Sequence, residues 1–211
     1  MIRLAWLMVV ASVACGGSSR TSTASDAGNS PTDACVPSDA LPVAAPVGAP
    51  CVPRSELNPQ FSGSSEGELG LETPSASCAS QVCLIDHFAG RVSCPYGQSA
   101  DGHGPDGGPG CTVPGSCEPV TVQVLPQCAD RTAAEAVYCS CRCANSEGKT
   151  DDGATYCTCP SSMTCVQLLA AFPNPDGGPQ TTGGAYCTKP GPEYEGGMCG
   201  ATCDPTKTPC P

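Results

Sequence analysis

Six cysteines fall within the thirty residues Val137–Val166, and five of them occur at alternating positions: Cys139, Cys141 and Cys143, then Cys157 and Cys159. Alternate positions of a β-strand place their side chains on one face. Turn-forming Asn, Asp and Gly residues separate the two runs. The pattern predicts a β-hairpin around 137–160 whose inner face is made of sulfur.

The rest of the chain offers little ordinary material for a core. Hydrophobic residues make up 39% of the 211 residues, but this figure includes 19 cysteines. Without them about 30% remains, against 25 glycines and 23 prolines. Burial alone does not offset the conformational entropy of such a chain, which therefore needs covalent cross-links. We predict a small disulfide-rich fold of mainly β and irregular structure, with long coil segments.

Four further elements follow from local patterns. A second short hairpin is expected around 81–94, and the alternating valines of 119–125 predict a strand. Thr132 and Glu135 have the spacing of a capping box, which predicts a short helix around 130–137. A serine followed by leucines and alanines predicts another over 161–171.

One sequence pattern occurs twice. Pro-Asp-Gly-Gly-Pro is found at Pro105–Pro109 and again at Pro175–Pro179. Each copy is preceded by a Cys-Pro dipeptide and followed by Cys-Thr-x-Pro-Gly. Two interpretations stay open: generic turn chemistry, or an internal duplication into two related lobes, roughly 78–117 and 139–203.

The first fourteen residues have the organisation of an export signal. Arg3 is followed by an apolar stretch and then by small residues up to Ala14. The apolar stretch is shorter than the roughly 20 residues that a membrane span needs. We therefore predict a signal peptide over 1–14, a flexible linker over 15–50, and a Cys-rich domain over 51–211 whose first part, 51–77, is poorly ordered.

Ser12-Val13-Ala14-Cys15 resembles the bacterial lipobox. With the Ser- and Asp-rich linker and the Cys-rich remainder, the chain resembles the poorly characterised Cys-rich lipoproteins of the bacterial outer membrane. The resemblance implies that Cys15 carries the lipid anchor. Gly16 stands where lipoproteins retained at the inner membrane have Asp, which implies an outer-membrane protein facing the periplasm or the exterior. The resemblance assigns no other site residue.

Lipid on one of the nineteen cysteines leaves an even number, eighteen, for disulfide bonds. In a symmetric hairpin Cys141 faces Cys157 and Cys139 faces Cys159, but both bridges side by side would be crowded. We expect one to form and the rest to reach Cys128, Cys165 or Cys187, and Cys35 to pair with Cys51 or elsewhere in the domain. The candidates are Cys35, Cys51, Cys78, Cys83, Cys94, Cys111, Cys117, Cys128, Cys139, Cys141, Cys143, Cys157, Cys159, Cys165, Cys187, Cys199, Cys203 and Cys210.

Charge and cysteine spacing argue against several classes of function. A formal charge of -11 disfavours nucleic acid and anionic lipid headgroups. A thiolate metal cluster needs a reducing compartment, which an export signal excludes. The sequence contains no Cys-x-x-Cys, the spacing expected of a thiol oxidoreductase. We expect no cofactor and no metal site.

Signals for catalysis are weak. Gly63–Gly67 matches Gly-x-Ser-x-Gly but lacks the strand before it and the helix after it. His87 and His103 lack recognisable partners, and the Asp- and Gly-rich loop near His103 lacks the spacing of a calcium loop. We therefore expect no catalytic residues.

The favoured hypothesis is a non-catalytic binding or structural module that contacts the membrane only through its lipid. Its partner would be an unidentified protein or glycan, bound by the loops Tyr96–Gly110 and Phe172–Tyr186. Two alternatives are a secreted disulfide-knot inhibitor or toxin-like module, whose rigid loop would be Phe172–Tyr186, and a hydrolytic enzyme.

Overall fold

Two small antiparallel sheets organise the chain. The computed structural model describes residues 44–169, 183–190 and 199–210. The first sheet has the order β1-β2-β3, with β1 at Leu69–Glu72, β2 at Val82–Asp86 and β3 at Val137–Ser140. The second has the order β4-β6-β5, with β4 at Arg142–Ala144, β5 at Thr164–Leu169 and β6 at Gly184–Thr188. A 3₁₀ turn at Arg54–Leu57 and a short helix α1 at Ala133–Ala136 complete the regular elements of these residues. The disulfide-rich, mainly β and irregular class is confirmed.

Every cysteine that the structure describes is in a disulfide bond. Eight bridges join cysteines within the described residues: Cys51–Cys83, Cys78–Cys139, Cys94–Cys111, Cys128–Cys199, Cys141–Cys157, Cys143–Cys165, Cys159–Cys187 and Cys203–Cys210. Cys117 is also in a disulfide bond. Cys15 and Cys35 lie outside the described residues. Of the two alternatives for Cys35, pairing with Cys51 is wrong because Cys51 is bonded to Cys83, and pairing elsewhere in the domain stays a prediction.

The core contains cystine sulfur where larger domains have hydrocarbon. A first cystine cluster, formed by the bridges Cys51–Cys83 and Cys78–Cys139, packs with Ile85, Phe88 and Val137. A second cystine cluster packs with Leu84, Tyr138 and Met163, and its three bridges are Cys141–Cys157, Cys143–Cys165 and Cys159–Cys187. The two clusters lie next to each other in the chain, because β3 ends at Ser140 and β4 begins at Arg142.

The predicted hairpin around 137–160 is wrong as a pair of strands. Its first run divides between the two sheets, and Cys139 belongs to the first cluster while Cys141 and Cys143 belong to the second. The returning run, 157–160, is not a strand, although the Cys157 N–H donates to the Arg142 carbonyl at 3.0 Å. Since β6 pairs with β4, it takes the place that the sequence pattern assigned to the returning run.

The expected hairpin around 81–94 contains only one strand. β2 pairs with β1 on one side and with β3 on the other, so both of its edges are occupied. Residues 91–94 therefore form a tight turn, closed by a hydrogen bond from the Cys94 N–H to the Arg91 carbonyl at 3.1 Å.

The helix predictions had opposite outcomes. α1 is confirmed, with the capping box in place: the Thr132 N–H donates to Glu135 Oε2 at 3.0 Å. The helix predicted over 161–171 is instead β5 over the residues that the structure describes. A β-branched residue on either side of Cys165 favours a strand. Pairing with β6 and the Cys143–Cys165 bridge hold the segment in place.

The domain begins earlier and is better ordered than the sequence predicted. Residues 44–50, assigned to the linker, hydrogen bond to the domain, because the Gly48 N–H donates to the Cys139 carbonyl and the Cys139 N–H to the Ala49 carbonyl, both at 2.8 Å. Residues 51–77, predicted to be poorly ordered, contain the 3₁₀ turn and β1. Their order comes from long-range pairing, which composition does not reveal. The remainder of the predicted linker lies outside the described residues.

The segment 119–125 is extended but is not a strand. The Gln98 side chain donates to the carbonyls of Val120 and Val122 at 2.9 and 2.6 Å, and thereby replaces a neighbouring strand. Gly97, at φ 69°, allows the same segment to approach closely, because a Cβ there would lie 2.5 Å from the Val124 carbonyl oxygen. Val120 and Val124 point into the core as the alternation predicted.

The repeated pattern has matching disulfides in its two copies. In the first copy the cysteine of Cys-Pro is bonded to that of Cys-Thr-x-Pro-Gly, as Cys94–Cys111. In the second the corresponding pair is Cys159–Cys187. The second Pro-Asp-Gly-Gly-Pro lies outside the described residues, and the duplication stays a hypothesis.

Candidate functional site

The second cystine cluster is the densest concentration of reactive atoms in the described residues. Cys187 Sγ lies 3.6 Å from Cys141 Sγ and 3.7 Å from Cys157 Sγ, although neither is its bonded partner. These atoms are close enough to share a metal ion. As cystine sulfurs, however, they lack the thiolate charge that makes cysteine a ligand or a nucleophile. In its oxidised form the cluster is a cross-link.

The residues considered for catalysis lie in turns, and their contacts are structural. Ser65, the centre of Gly-x-Ser-x-Gly, donates its backbone N–H to Glu68 Oε2 at 2.9 Å. His87 Nδ1 lies 3.1 Å from the Glu66 carbonyl oxygen, and His103 Nδ1 lies 3.3 Å from an Asp101 carboxylate oxygen. Each of these imidazole contacts is to a carbonyl or carboxylate oxygen and not to a hydroxyl nucleophile, so none forms the pair that acyl transfer requires.

Two open clefts lie on either side of the segment 119–125. The first, of about 430 Å³, is lined by residues of the loop 96–110 and by the start of the segment. The second, of about 630 Å³, is lined by Ser62–Ser65, Glu68 and the end of the segment, where Leu125 is 60% exposed. Both clefts mix small polar residues with apolar ones, and Val120 lines the first while Val122 and Leu125 line the second. The first cleft includes one of the two loops predicted to bind a partner, whereas residues 172–182 of the other lie outside the described residues.

Arg91 and Glu56 form a buried ion pair. Arg91 is fully buried, and its guanidinium donates to the Phe61 carbonyl at 2.8 Å, to the Asn58 carbonyl at 3.2 Å and to the Glu56 carbonyl. The Glu56 carboxylate, 1% exposed, lies 4.0 Å from Arg91 Nε and accepts the N–H groups that follow Arg91 in the chain. Burial lowers the pKa of Arg91, and the Glu56 charge opposes that shift. The pair joins the 3₁₀ turn to the loop after β2.

A second arginine lies in an aromatic setting beside the second cystine cluster. Arg142 is paired across β4 and β6 with Tyr186, and its guanidinium carbon lies 5.3 Å from the centre of the Tyr156 ring. The Tyr156 hydroxyl donates to Asp152 Oδ2 at 2.7 Å, and Asn145 Nδ2 donates to the same oxygen at 3.0 Å. These hydrogen bonds, chiefly the one from Tyr156, lower the pKa of Asp152 to about 2. The loop 145–156 is thus built around one carboxylate that stays ionised.

Sequence reasoning did not find either arginine. Arg91 carries no local signal, because its partners lie thirty or more residues away. Arg142 carries a usable one: it stands between Cys141 and Cys143, so strand alternation places it on the opposite face from two buried cysteines.

Comparison with known proteins did not identify a relative of this chain. No family model matches the chain, and no curated protein or solved structure is significantly similar to it. In the described ranges, no helix has both the length and the apolar character that crossing a bilayer requires.

Proposed function

We propose that the protein is a lipid-anchored, non-catalytic module of the bacterial outer membrane, whose rigid head binds a protein or glycan or has a structural role in the envelope. The observation that carries the proposal is that all 17 described cysteines are in disulfide bonds. Such saturation belongs to a protein that matures in an oxidising compartment. It agrees with the leader and the lipobox-like Ser12–Cys15, which supply the export route and the anchor.

The parity of the cysteines supports Cys15 as the lipidated residue. The chain has nineteen cysteines, an odd number, so complete pairing leaves one over. In this proposal the lipobox identifies the remaining one as Cys15, the anchor. Every cysteine of the mature protein would then be either acylated or cross-linked, with no free thiol.

The head, which is the Cys-rich part of the chain from residue 44 onwards, is suited to binding a partner rather than to catalysis. Its cross-links limit the entropy that its loops lose on binding, which is the advantage of preorganisation. The lining of the two clefts includes hydroxyl and amide side chains beside apolar ones, a combination that can bind a glycan or peptide through both hydrogen bonds and apolar contact.

Intact-mass spectrometry of the full chain, extracted from membranes of an expressing diderm bacterium, tests the proposal. We expect a chain that begins at Cys15 with acyl groups attached, no alkylation before reduction and eighteen alkylated cysteines after it. A Cys15→Ser variant is the matched control, since it should lose the acyl mass but keep every disulfide. An unacylated chain with one alkylatable thiol would contradict the anchor, and several free thiols would contradict the cross-linked head.

A further inference from the structure

Arg142 differs from the other interior arginines in having no acceptor. Arg91 donates to three carbonyl oxygens, and Arg131 is paired with Asp86 at 3.2 Å and donates to two carbonyls of the same loop. Within the part of the chain that the structure describes, Arg142 Nε is shielded from solvent and has no hydrogen-bond partner, and the guanidinium makes no ion pair at contact distance, although its charge helps to lower the pKa of Asp152. A shielded donor without an acceptor costs free energy, so this arrangement calls for an explanation.

The surroundings hold the guanidinium in a fixed position. The Tyr156 ring stacks on it, and Asp152 holds the Tyr156 hydroxyl. On another side lies Gly184, where an added Cβ would come within 2.8 Å of Arg142 Nε and 2.5 Å of the Ala144 carbonyl oxygen. Only glycine therefore leaves room for the side chain. A stacked, half-buried arginine whose terminal nitrogens contact no carbonyl or carboxylate of the described residues is arranged as it would be in a receptor for a planar anion.

Charge around the site narrows the class of ligand. The loop 145–156 carries Glu147, Asp151 and Asp152, and the whole chain has a formal charge of -11. Lys149 adds no free cation, because its Nζ is paired with Glu147 at 2.8 Å. A phosphate dianion or a polyanion would be repelled by these carboxylates. A single carboxylate group carries one charge and matches the fork of guanidinium donors.

We propose that Arg142, with Tyr156 stacked on its guanidinium, is the recognition site for a carboxylate group, carried by a sugar acid or by an acylated amino acid. The carboxylate accepts N–H groups from the terminal nitrogens of Arg142, since Nε is shielded by Gly184, and the Tyr156 ring contacts the ligand body beside it. The inference rests on the binding role proposed above and gives that role a ligand chemistry, but it does not depend on the lipid anchor.

Ligand-observed NMR on the full-length protein tests the site. The probes are galacturonate and N-acetylalanine, which carry the carboxylate on a sugar and on an acylated amino acid, with galactose and N-acetylalanine amide as their neutral counterparts. We expect saturation transfer to at least one acid and none to its neutral counterpart, and acetate should compete. The acid that binds more tightly identifies the source of the carboxylate. Equal signals from acid and neutral probes, or no signal from either acid, would overturn the proposal.

Variants assign the binding to the arginine. Arg142→Gln should weaken the binding of the acid about tenfold or more, since a charge-assisted pair is lost. Arg54→Gln, a change in an exposed arginine of the 3₁₀ turn, should leave it unchanged. Because Arg142 lies beside the second cystine cluster, Tyr156→Leu provides a second test in an exposed loop and should also weaken binding. Alkylation before reduction checks that each variant keeps its disulfides. Wild-type affinity in both variants would refute the site while leaving the anchored module intact.

Discussion

Replacing Arg91 by alanine should be among the most damaging single substitutions in the head. The change leaves the Glu56 carboxylate, 1% exposed, without its cation. It also removes the side-chain donor of the Glu56 and Phe61 carbonyls, while the Asn58 carbonyl keeps the Phe61 N–H as a donor. Loss of one partner from a buried ion pair costs about 3–5 kcal/mol of unfolding free energy. The loss should lie at the upper end of this range, because the same side chain also satisfies backbone carbonyls.

Urea unfolding with the disulfides intact measures the effect. With a slope of about 2 kcal/mol per molar, the loss lowers the urea midpoint by about 1.5–2.5 M. Arg54→Ala, which removes an exposed arginine, is the matched control and should stay within about 0.5 kcal/mol of wild type. A change of under about 1 kcal/mol in Arg91→Ala would refute the reasoning.

A double variant separates the charge from the hydrogen bonds. Replacing a simple buried ion pair by apolar residues of similar volume is often neutral or stabilising. In Glu56→Leu/Arg91→Met both charges are gone, but the carbonyls of Phe61 and of residue 56 still lack the donor that Arg91 supplied. We therefore expect the double variant to remain roughly 2 kcal/mol or more below wild type. Full recovery of stability would show that the carbonyl contacts contribute nothing.

Three further predictions use the same head. Gly97→Ala should lower the unfolding free energy, measured in urea, by about 1–3 kcal/mol more than Gly115→Ala does. Both glycines have positive φ, but only at Gly97 would the new Cβ lie 2.5 Å from a carbonyl oxygen. Equal losses in the two variants would contradict this prediction. Tyr156→Phe should raise the pKa of Asp152 from about 2 towards its ordinary value. In the wild type the ionised carboxylate contributes its full stabilisation above about pH 4 and loses it as the pH falls through about 2, so the variant should lose it at higher pH. Carboxyl-carbon NMR measures this pKa, and an unchanged value would show that the hydrogen bond is unimportant. Burial raises the pKa of Tyr138 to about 12, so its contribution to the unfolding free energy is complete below about pH 10 and is lost as the pH rises towards 12. The urea midpoint of the wild type should therefore fall over that pH range. The midpoint of Tyr138→Phe should fall less.

Local patterns succeeded where the deciding contacts are local. The capping box of α1 lies within four residues, so Thr132 and Glu135 were readable from the sequence. The segment that became β5 has apolar spacing compatible with a helix, and its strand conformation depends on β6 and on Cys143. The alternation of valines in 119–125 correctly predicted which side chains are buried, but not that the Gln98 side chain would stand in for a paired strand.

Composition alone required cross-linking, because nineteen cysteines among few large hydrophobes leave no other means of offsetting chain entropy. Only the tertiary structure determined which cysteine each cysteine is bonded to. Eighteen cysteines allow roughly tens of millions of pairings, and spacing does not rank them. Of the two bridges suggested by a symmetric hairpin, Cys141–Cys157 forms, and Cys159 is bonded instead to Cys187 of β6. Folding also placed Arg142 against Tyr156 and Gly184, since a side chain's surroundings depend on segments distant in the sequence.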